Sequence, residues 1–210
     1  MTKVLLAGAA GLVGSHVLQL LLGDARFTSV VTPVRRPIPP AAKLVAPVVD
    51  FDALPLDADW WPVDVVISTL GTTIRTVGSR GAFAKVDHHL PLAIARAARD
   101  RGASSCVVVT ALGADASSRI FYNRTKGQVE VDLATLGYPS LTFIRPGLIG
   151  GDRAESRPLE KASSLVLGAL GPILPRSFRI NPASRIAEAI VEAAAAGRPG
   201  VHVVTSHEMT

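Results

Sequence analysis

The chain has 210 residues, of which 48% are hydrophobic and 19% are charged, with a formal net charge of +5 at pH 7. This composition predicts a single α/β domain spanning residues 1–210, and no apolar run is long enough to cross a membrane. One cysteine, Cys106, excludes an internal disulfide and a cysteine-based metal site, so a reducing, cytoplasmic location is expected. The arginines are not interleaved with aromatic residues, which argues against nucleic-acid binding.

Near the amino terminus, three glycines have the spacing of a dinucleotide-binding turn. A short apolar run, Val4 to Ala7, predicts a buried strand, and a helix-length apolar stretch follows the glycines. A strand, a glycine turn and a helix in this order form the first unit of a doubly wound, Rossmann-like parallel sheet. A glycine-rich turn in a ligand-free α/β domain is the alternative. The predicted cofactor contacts in this turn are Gly8, Ala10, Gly11, Leu12, Val13 and Gly14.

Two arginines, Arg35 and Arg36, directly follow the second predicted strand, at 29–34. NAD-selective proteins place an acidic residue about twenty residues past the glycine turn, where it binds the ribose hydroxyls. Guanidinium groups instead suit a 2′-phosphate, through bidentate charge-assisted hydrogen bonds. The pair therefore predicts NADP(H) as the cofactor, with a solvated basic loop as the alternative.

Three further predicted strands deliver candidate contacts at their carboxyl ends, where open α/β sheets bind ligands. The strand at 43–49 leads to an acid and an aromatic ring suited to adenine, although a turn acid and a core phenylalanine explain them equally well. The strand at 63–69 ends in a Leu-Gly-Thr-Thr turn, and the strand at 141–145 ends beside the expected nicotinamide. The predicted contacts at these ends are Asp50, Phe51, Leu70, Gly71, Thr72 and Pro146.

Tyr122 and Lys126 lie four residues apart on the helix predicted after the fifth strand, which ends at Thr110. Residues four apart share one helix face, and an ammonium beside a phenol lowers the pKa of the phenol. Such a pair exchanges a proton with a substrate oxygen while hydride moves to or from a nicotinamide, and Lys126 can also bind the nicotinamide ribose. A pair on a solvated helix surface is the alternative.

The motifs together resemble an atypical short-chain dehydrogenase/reductase of the family that includes the Tat-interacting protein. The resemblance implies a Rossmann sheet holding NADPH, Tyr122 as proton donor or acceptor, Ile149 and Arg157 at the cofactor or pocket wall, and a homodimer. Such proteins usually carry one or two serines at the end of the fifth strand, where this chain has Thr110 followed by Ala111 and Leu112. Thr110 is expected to supply the hydroxyl that steadies the substrate oxygen. The motifs are GAAGLVG (8–14), Arg35-Arg36, VVDF (48–51), LGTT (70–73), Val86-Asp87, GAD (113–115), Tyr122-x-x-x-Lys126, RPG (145–147) and DRAESRP (152–158).

Two functions follow from these predictions. The first is an NADPH-dependent reductase of a small carbonyl or related compound, with residues 150–182 as a small lobe that covers the substrate. The second is an NADPH-sensing regulatory or scaffold protein, which the replacement of serine by threonine and the short lobe favour.

Overall fold

A computed structural model describes residues 2–150 and 180–210, which form a parallel sheet of seven strands with helices on both faces. The strands are Thr2–Ala7 (β1), Phe27–Val31 (β2), Leu44–Val45 (β3), Val65–Ser68 (β4), Ser105–Val109 (β5), Ser140–Arg145 (β6) and Gly200–Thr205 (β9). Their order, β3-β2-β1-β4-β5-β6-β9, places β1 beside β4 where the winding direction reverses. The predicted fold class, a doubly wound parallel sheet, is confirmed.

The helices of the described residues lie between the strands in the chain, three of them between β4 and β5. They are Leu12–Gly23 (α1), Ile74–Val77 (α2), Arg80–Ala84 (α3), Leu90–Asp100 (α4), Phe121–Ala134 (α5) and Ala183–Ala196 (α6). A π-helical turn, Lys85–His89, joins α3 to α4, and a 3-10 turn, Ser206–Met209, follows β9. A separate two-stranded pair consists of Ile149–Gly150 (β7) and Asn181–Pro182 (β8). No helix in these two ranges has the length and hydropathy of a membrane span.

Two apolar layers hold the sheet, because side chains alternate between its faces. Val4 and Leu6 of β1 pack in the layer that contains α1 and α6. Leu5 and Ala7 pack in the opposite layer, with α4 and α5. The strand that leads into the glycine turn is therefore packed from both sides.

Two segments differ from their predictions. The strand expected at 43–49 shortens to Leu44–Val45, since Pro47 has no amide to donate to the ladder. The sequence of the stretch 76–81, TVGSRG, predicts a mobile loop, but the stretch contains the end of α2 and the start of α3. Thr73 and Ser79 cap these short helices, each accepting a hydrogen bond of 3.1 Å from the amide three residues on.

The sequence predicts a final alanine-rich helix from Asn181-Pro182 through Ala196 and an edge strand at 201–204, and both elements are present. The last helix follows Asn181-Pro182, ends at Ala196 and is capped by Gly197, whose φ is +50°. The predicted edge strand is β9, which pairs with β6. Of the lobe predicted at 150–182, residues 151–179 lie outside the described residues, so its role stays a prediction.

Candidate functional site

The glycine turn after β1 has a backbone path that only glycine allows. Gly8 has a φ of +96°, and a Cβ at this position would lie 2.7 Å from Thr69 Oγ1. A Cβ at Gly14 would lie 2.0 Å from the carbonyl oxygen of Gly8, far inside van der Waals contact. Helix α1 therefore packs against the turn at a distance that any larger residue would increase.

The amino end of α1 is open to an anion. Gly11 caps the helix without a side-chain hydrogen bond, and a Cβ there would contact only the Gly8 oxygen, at 3.3 Å. The side chain of Ala10 is exposed and that of Val13 is buried, so Val13 has only its backbone amide to offer a ligand. Because first-turn amides, such as those of Leu12 and Val13, have no acceptor within their helix, this cradle fits a dinucleotide pyrophosphate.

Arg35 and Arg36 lie just beyond the bridge between Val34 and Val48 that extends the β2 edge. Both side chains are exposed, and neither forms an ion pair with a residue in the ranges 2–150 and 180–210. Their guanidinium groups are thus available for a phosphate, and their contact with a cofactor stays a prediction.

The two residues predicted near adenine have local partners. The Asp50 carboxylate accepts a hydrogen bond of 2.8 Å from the amide of Asp52, and Phe51 is half-buried against the layer that contains α4. These contacts are those of a turn acid and a core phenylalanine. A role beside adenine stays a prediction for both.

A buried ion pair lies beneath the loop that follows β4. Lys126 Nζ lies 2.7 Å from Asp87 Oδ1, and the two side chains are 4% and 1% exposed. The other carboxylate oxygen accepts a hydrogen bond of 2.9 Å from the amide of Thr72. A Cβ on Gly71 would lie 3.6 Å from Asp87 Oδ1 and 3.9 Å from Lys126 Nζ. Asp87 thus joins the predicted cofactor loop, Leu70 to Thr72, to the helix that carries Lys126.

The sequence predicts no separate role for Asp87, although a signal was present. The sequence predicts a helix from Phe83 to Arg101, and Asp87 lies in its apolar stripe between Phe83 and Leu90, where a buried carboxylate needs a partner. It also occupies a π-helical turn, a distortion frequent at functional sites. Burial raises the pKa of Asp87, and the Lys126 ammonium and the Thr72 amide oppose that shift.

Tyr122 lies one turn before Lys126 on α5, with its ring 5.5 Å from the ring of Phe83. Burial raises the pKa of Tyr122 to about 12, and the negative charge of Asp87 adds to the shift. This direction corrects the expectation that Lys126 lowers the pKa of Tyr122. The physical reason is burial of the phenol, to which the nearby Asp87 carboxylate adds its negative charge.

The hydroxyl of Thr110 binds a carboxylate of the protein and is not available for the role predicted for it. Its side chain is 3% exposed, and its hydroxyl donates a hydrogen bond of 2.6 Å to Glu130 Oε1. Arg145 binds the same carboxylate through Nε, at 2.9 Å, and through Nη2. The expectation that this hydroxyl steadies a substrate oxygen is therefore corrected, because the buried Glu130 carboxylate already accepts it.

The end of β6 is held by Asn181, which the sequence predicts only as the start of a helix. The fully buried amide side chain of Asn181 accepts a hydrogen bond of 2.7 Å from the amide of Gly147 and donates one of 2.8 Å to the carbonyl of Ser206. Pro146 is buried, and Ile149 is 39% exposed in β7. Arg157 lies outside the described residues, so its assignment stays a prediction.

Comparison with known proteins assigns the family. The sequence model of the HIM1 family matches residues 54–170, which is more than half of the chain. The FMP52 protein of Emericella nidulans is 37% identical over 183 residues, covering 82% of this chain and 78% of that protein. The FMP52 protein of Eremothecium gossypii is 39% identical over 157 residues, covering 72% and 68%. The chain belongs to the HIM1 family.

Membership of the HIM1 family corrects two expectations. The resemblance to the family of the Tat-interacting protein is wrong, because the relatives found at this identity are FMP52 proteins. The expected cytoplasmic location is wrong as well, because these HIM1-family relatives are named mitochondrial proteins. The motif GxxGxxG and the Tyr-Lys pair thus also occur in this HIM1-family chain, so they do not by themselves identify the family of the Tat-interacting protein.

Solved structures agree with the fold of this HIM1-family chain. MoeE5 in complex with UDP-glucose and NAD has a TM-score of 0.72 at 19% identity, covering 96% of this chain and 75% of that one. The Bordetella bronchiseptica enzyme WbmH in complex with NAD⁺ has a TM-score of 0.70 at 17% identity, covering 98% and 76%. At such identities the likeness shows the Rossmann-like fold alone.

Proposed function

We propose that this chain is an NADP(H)-dependent oxidoreductase that reduces a small carbonyl compound. The observation that carries the proposal is the convergence at Asp87 of the loop after β4 and of Lys126, with Tyr122 one helical turn away. This group lies at the carboxyl edge of the sheet, where ligands of doubly wound folds bind. The NAD complexes of MoeE5 and WbmH, which share the fold, support a nicotinamide dinucleotide as the cofactor.

The residues present fit each part of such a cofactor. The first-turn amides of α1, such as those of Leu12 and Val13, would bind the pyrophosphate. Arg35 and Arg36 would bind the 2′-phosphate, and Gly71 would let the loop after β4 approach closely. The bound nicotinamide would supply the hydride.

Tyr122 would donate the proton. The carbonyl oxygen takes the phenolic proton while the carbonyl carbon takes the hydride, which yields an alcohol. A phenol with a pKa near 12 stays protonated across the neutral range, which is the state that reduction needs. Reduction by the chain should thus persist at moderately alkaline pH and fall only as the phenol ionises, whereas the reverse oxidation, which needs phenolate, should rise with pH.

A second candidate is an NADPH-binding protein with little catalysis. The observation that favours it is the hydrogen bond from Thr110 to Glu130, which removes the predicted hydroxyl from the substrate side. Cofactor binding and turnover therefore need separate tests.

A fluorescence titration with NADPH and NADH tests the cofactor. We expect NADPH to bind at least about tenfold more tightly than NADH, since one charge-assisted hydrogen bond contributes roughly 1.5–3 kcal/mol. Arg35→Ala/Arg36→Ala should abolish the difference, and Arg96→Ala, which removes an exposed charge on α4, should preserve it. Equal affinity of the wild-type protein for both nucleotides would disprove the NADP preference.

Tyr122→Phe tests the chemistry with a panel of aldehydes. We expect turnover to fall about 100-fold or more, because general acid catalysis contributes about 10²–10⁴, with NADPH affinity unchanged. Tyr138→Phe is the matched control, since the Tyr138 hydroxyl donates to the carbonyl of Ala95 inside the core. Wild-type turnover in Tyr122→Phe would reject the proton-donor role and favour the second candidate.

A further inference from the structure

Two arginines lie against the ring of Phe121, the residue that precedes Tyr122 on α5. The guanidinium carbons of Arg80 and Arg124 lie 5.2 Å and 5.8 Å from the ring centroid of Phe121. The Phe121 ring lies 5.9 Å from the ring of Phe83, which in turn lies 5.5 Å from the ring of Tyr122. Arg80 comes from the start of α3 and Arg124 from α5, so two separate elements bring cations to the ring next to the proposed proton donor in the chain.

Arg124 is fixed in place by its own loop. Its Nη1 donates hydrogen bonds of 2.8 Å to the carbonyl of Ser118 and 3.3 Å to the carbonyl of Arg119. These contacts use one nitrogen of the guanidinium and neutralise none of its charge. The group therefore keeps donors for a ligand at a defined position.

Carboxylates do not compensate these charges within the described part of the chain. Arg26, Arg145 and Arg185 each pair with an acidic side chain, whereas Arg80 and Arg124 pair with none there. From residue 110 to residue 126 the one acidic residue is Asp115. Its carboxylate accepts hydrogen bonds from the amide and hydroxyl of Ser117, which lower the pKa of Asp115.

We propose that the substrate carries a carboxylate or phosphate group that Arg80 and Arg124 bind while its carbonyl faces Tyr122. This inference rests on the proposed function and names the substrate class of the same site. Guanidinium groups bind such anions through paired, charge-assisted hydrogen bonds. The Phe121 ring holds both cations by cation–π contact and limits the rotamers they must give up on binding.

The test compares succinic semialdehyde with butanal, an uncharged aldehyde of equal length, as substrates for reduction by NADPH. We expect kcat/KM for succinic semialdehyde to fall roughly tenfold to a hundredfold in Arg80→Ala and in Arg124→Ala, mainly through KM. The value for butanal should stay unchanged in both variants. Arg198→Ala is the control, because Arg198 is exposed and precedes β9. It therefore lies at the amino ends of the parallel strands, whereas the proposed site lies at their carboxyl ends.

Calorimetry separates this inference from the proposed function. Succinate and inorganic phosphate are titrated into protein saturated with NADP⁺. We expect both anions to bind to the wild type and not to the double variant Arg80→Ala/Arg124→Ala. Such binding without turnover of either aldehyde would reject the reductase and retain the anion site. Equal turnover of both aldehydes, unchanged by the variants, would overturn the anion site and retain the reductase. Absence of both anion binding and selective turnover would also overturn it.

Discussion

Asp87→Asn should lower the free energy of unfolding by about 3–5 kcal/mol, because it leaves the buried Lys126 ammonium without a counter-charge. Both side chains are almost fully buried, so water cannot screen the loss. Lys126→Met should lower the free energy of unfolding by a similar amount, because it leaves the Asp87 carboxylate buried without a counter-charge. Urea unfolding monitored by circular dichroism measures both.

The double variant Asp87→Asn/Lys126→Met should cost less than the sum of the two single changes, since it leaves no buried charge. The exposed pair Lys85–Asp52 is the matched control: its nitrogen–oxygen distance is also 2.7 Å, but its side chains are 55% and 67% exposed. Breaking that pair should cost about 0–1 kcal/mol. Strict additivity at Asp87 and Lys126 would contradict the coupling inferred from the structure.

Gly14→Ala should remove dinucleotide binding and destabilise the fold by about 1–3 kcal/mol or more. The added Cβ would lie 2.0 Å from the Gly8 oxygen, so α1 must move away from the turn whose amides form the phosphate cradle. NADPH titration and thermal unfolding provide the two measurements.

Gly23→Ala is the control for that change, because Gly23 ends the same helix and a Cβ there meets no atom within 4 Å. It should be neutral or stabilising by up to about 1 kcal/mol, since alanine favours helix more than glycine does. Wild-type NADPH affinity in Gly14→Ala would show that the close contact with Gly8 is not needed for the cradle.

The fold was predictable where local pattern and tertiary environment agree. The apolar run Val4 to Ala7, the glycine spacing and the amphipathic helices each specify one place in a doubly wound sheet. The caps Thr73 and Ser79 were visible in the sequence, but glycines on either side of Arg80 favoured a loop there. The third strand shortened at Pro47 because one missing donor outweighs the β-branched residues around it.

The site was less predictable, because its key contacts join residues far apart in the chain. The spacing of Tyr122 and Lys126 identified the helix face, yet the effect of Lys126 on Tyr122 depends on Asp87, which another helix supplies. Likewise the direction of the Thr110 hydroxyl depends on Glu130, a buried carboxylate on α5. Pairings of this kind follow from the packing of elements, which no local pattern encodes.

Asn181 affects local unfolding at the carboxyl terminus. One side chain links residues 34 positions earlier and 25 positions later in the chain, so we expect the Gly147 amide to exchange its proton only when the contact of Asn181 with the Ser206 carbonyl also opens. Fraying of the last residues would then not remain local: it would release an amide beside the nicotinamide end of the proposed site. Occupancy of that site should in turn protect the carboxyl terminus, which makes the end of the chain a reporter of ligand binding.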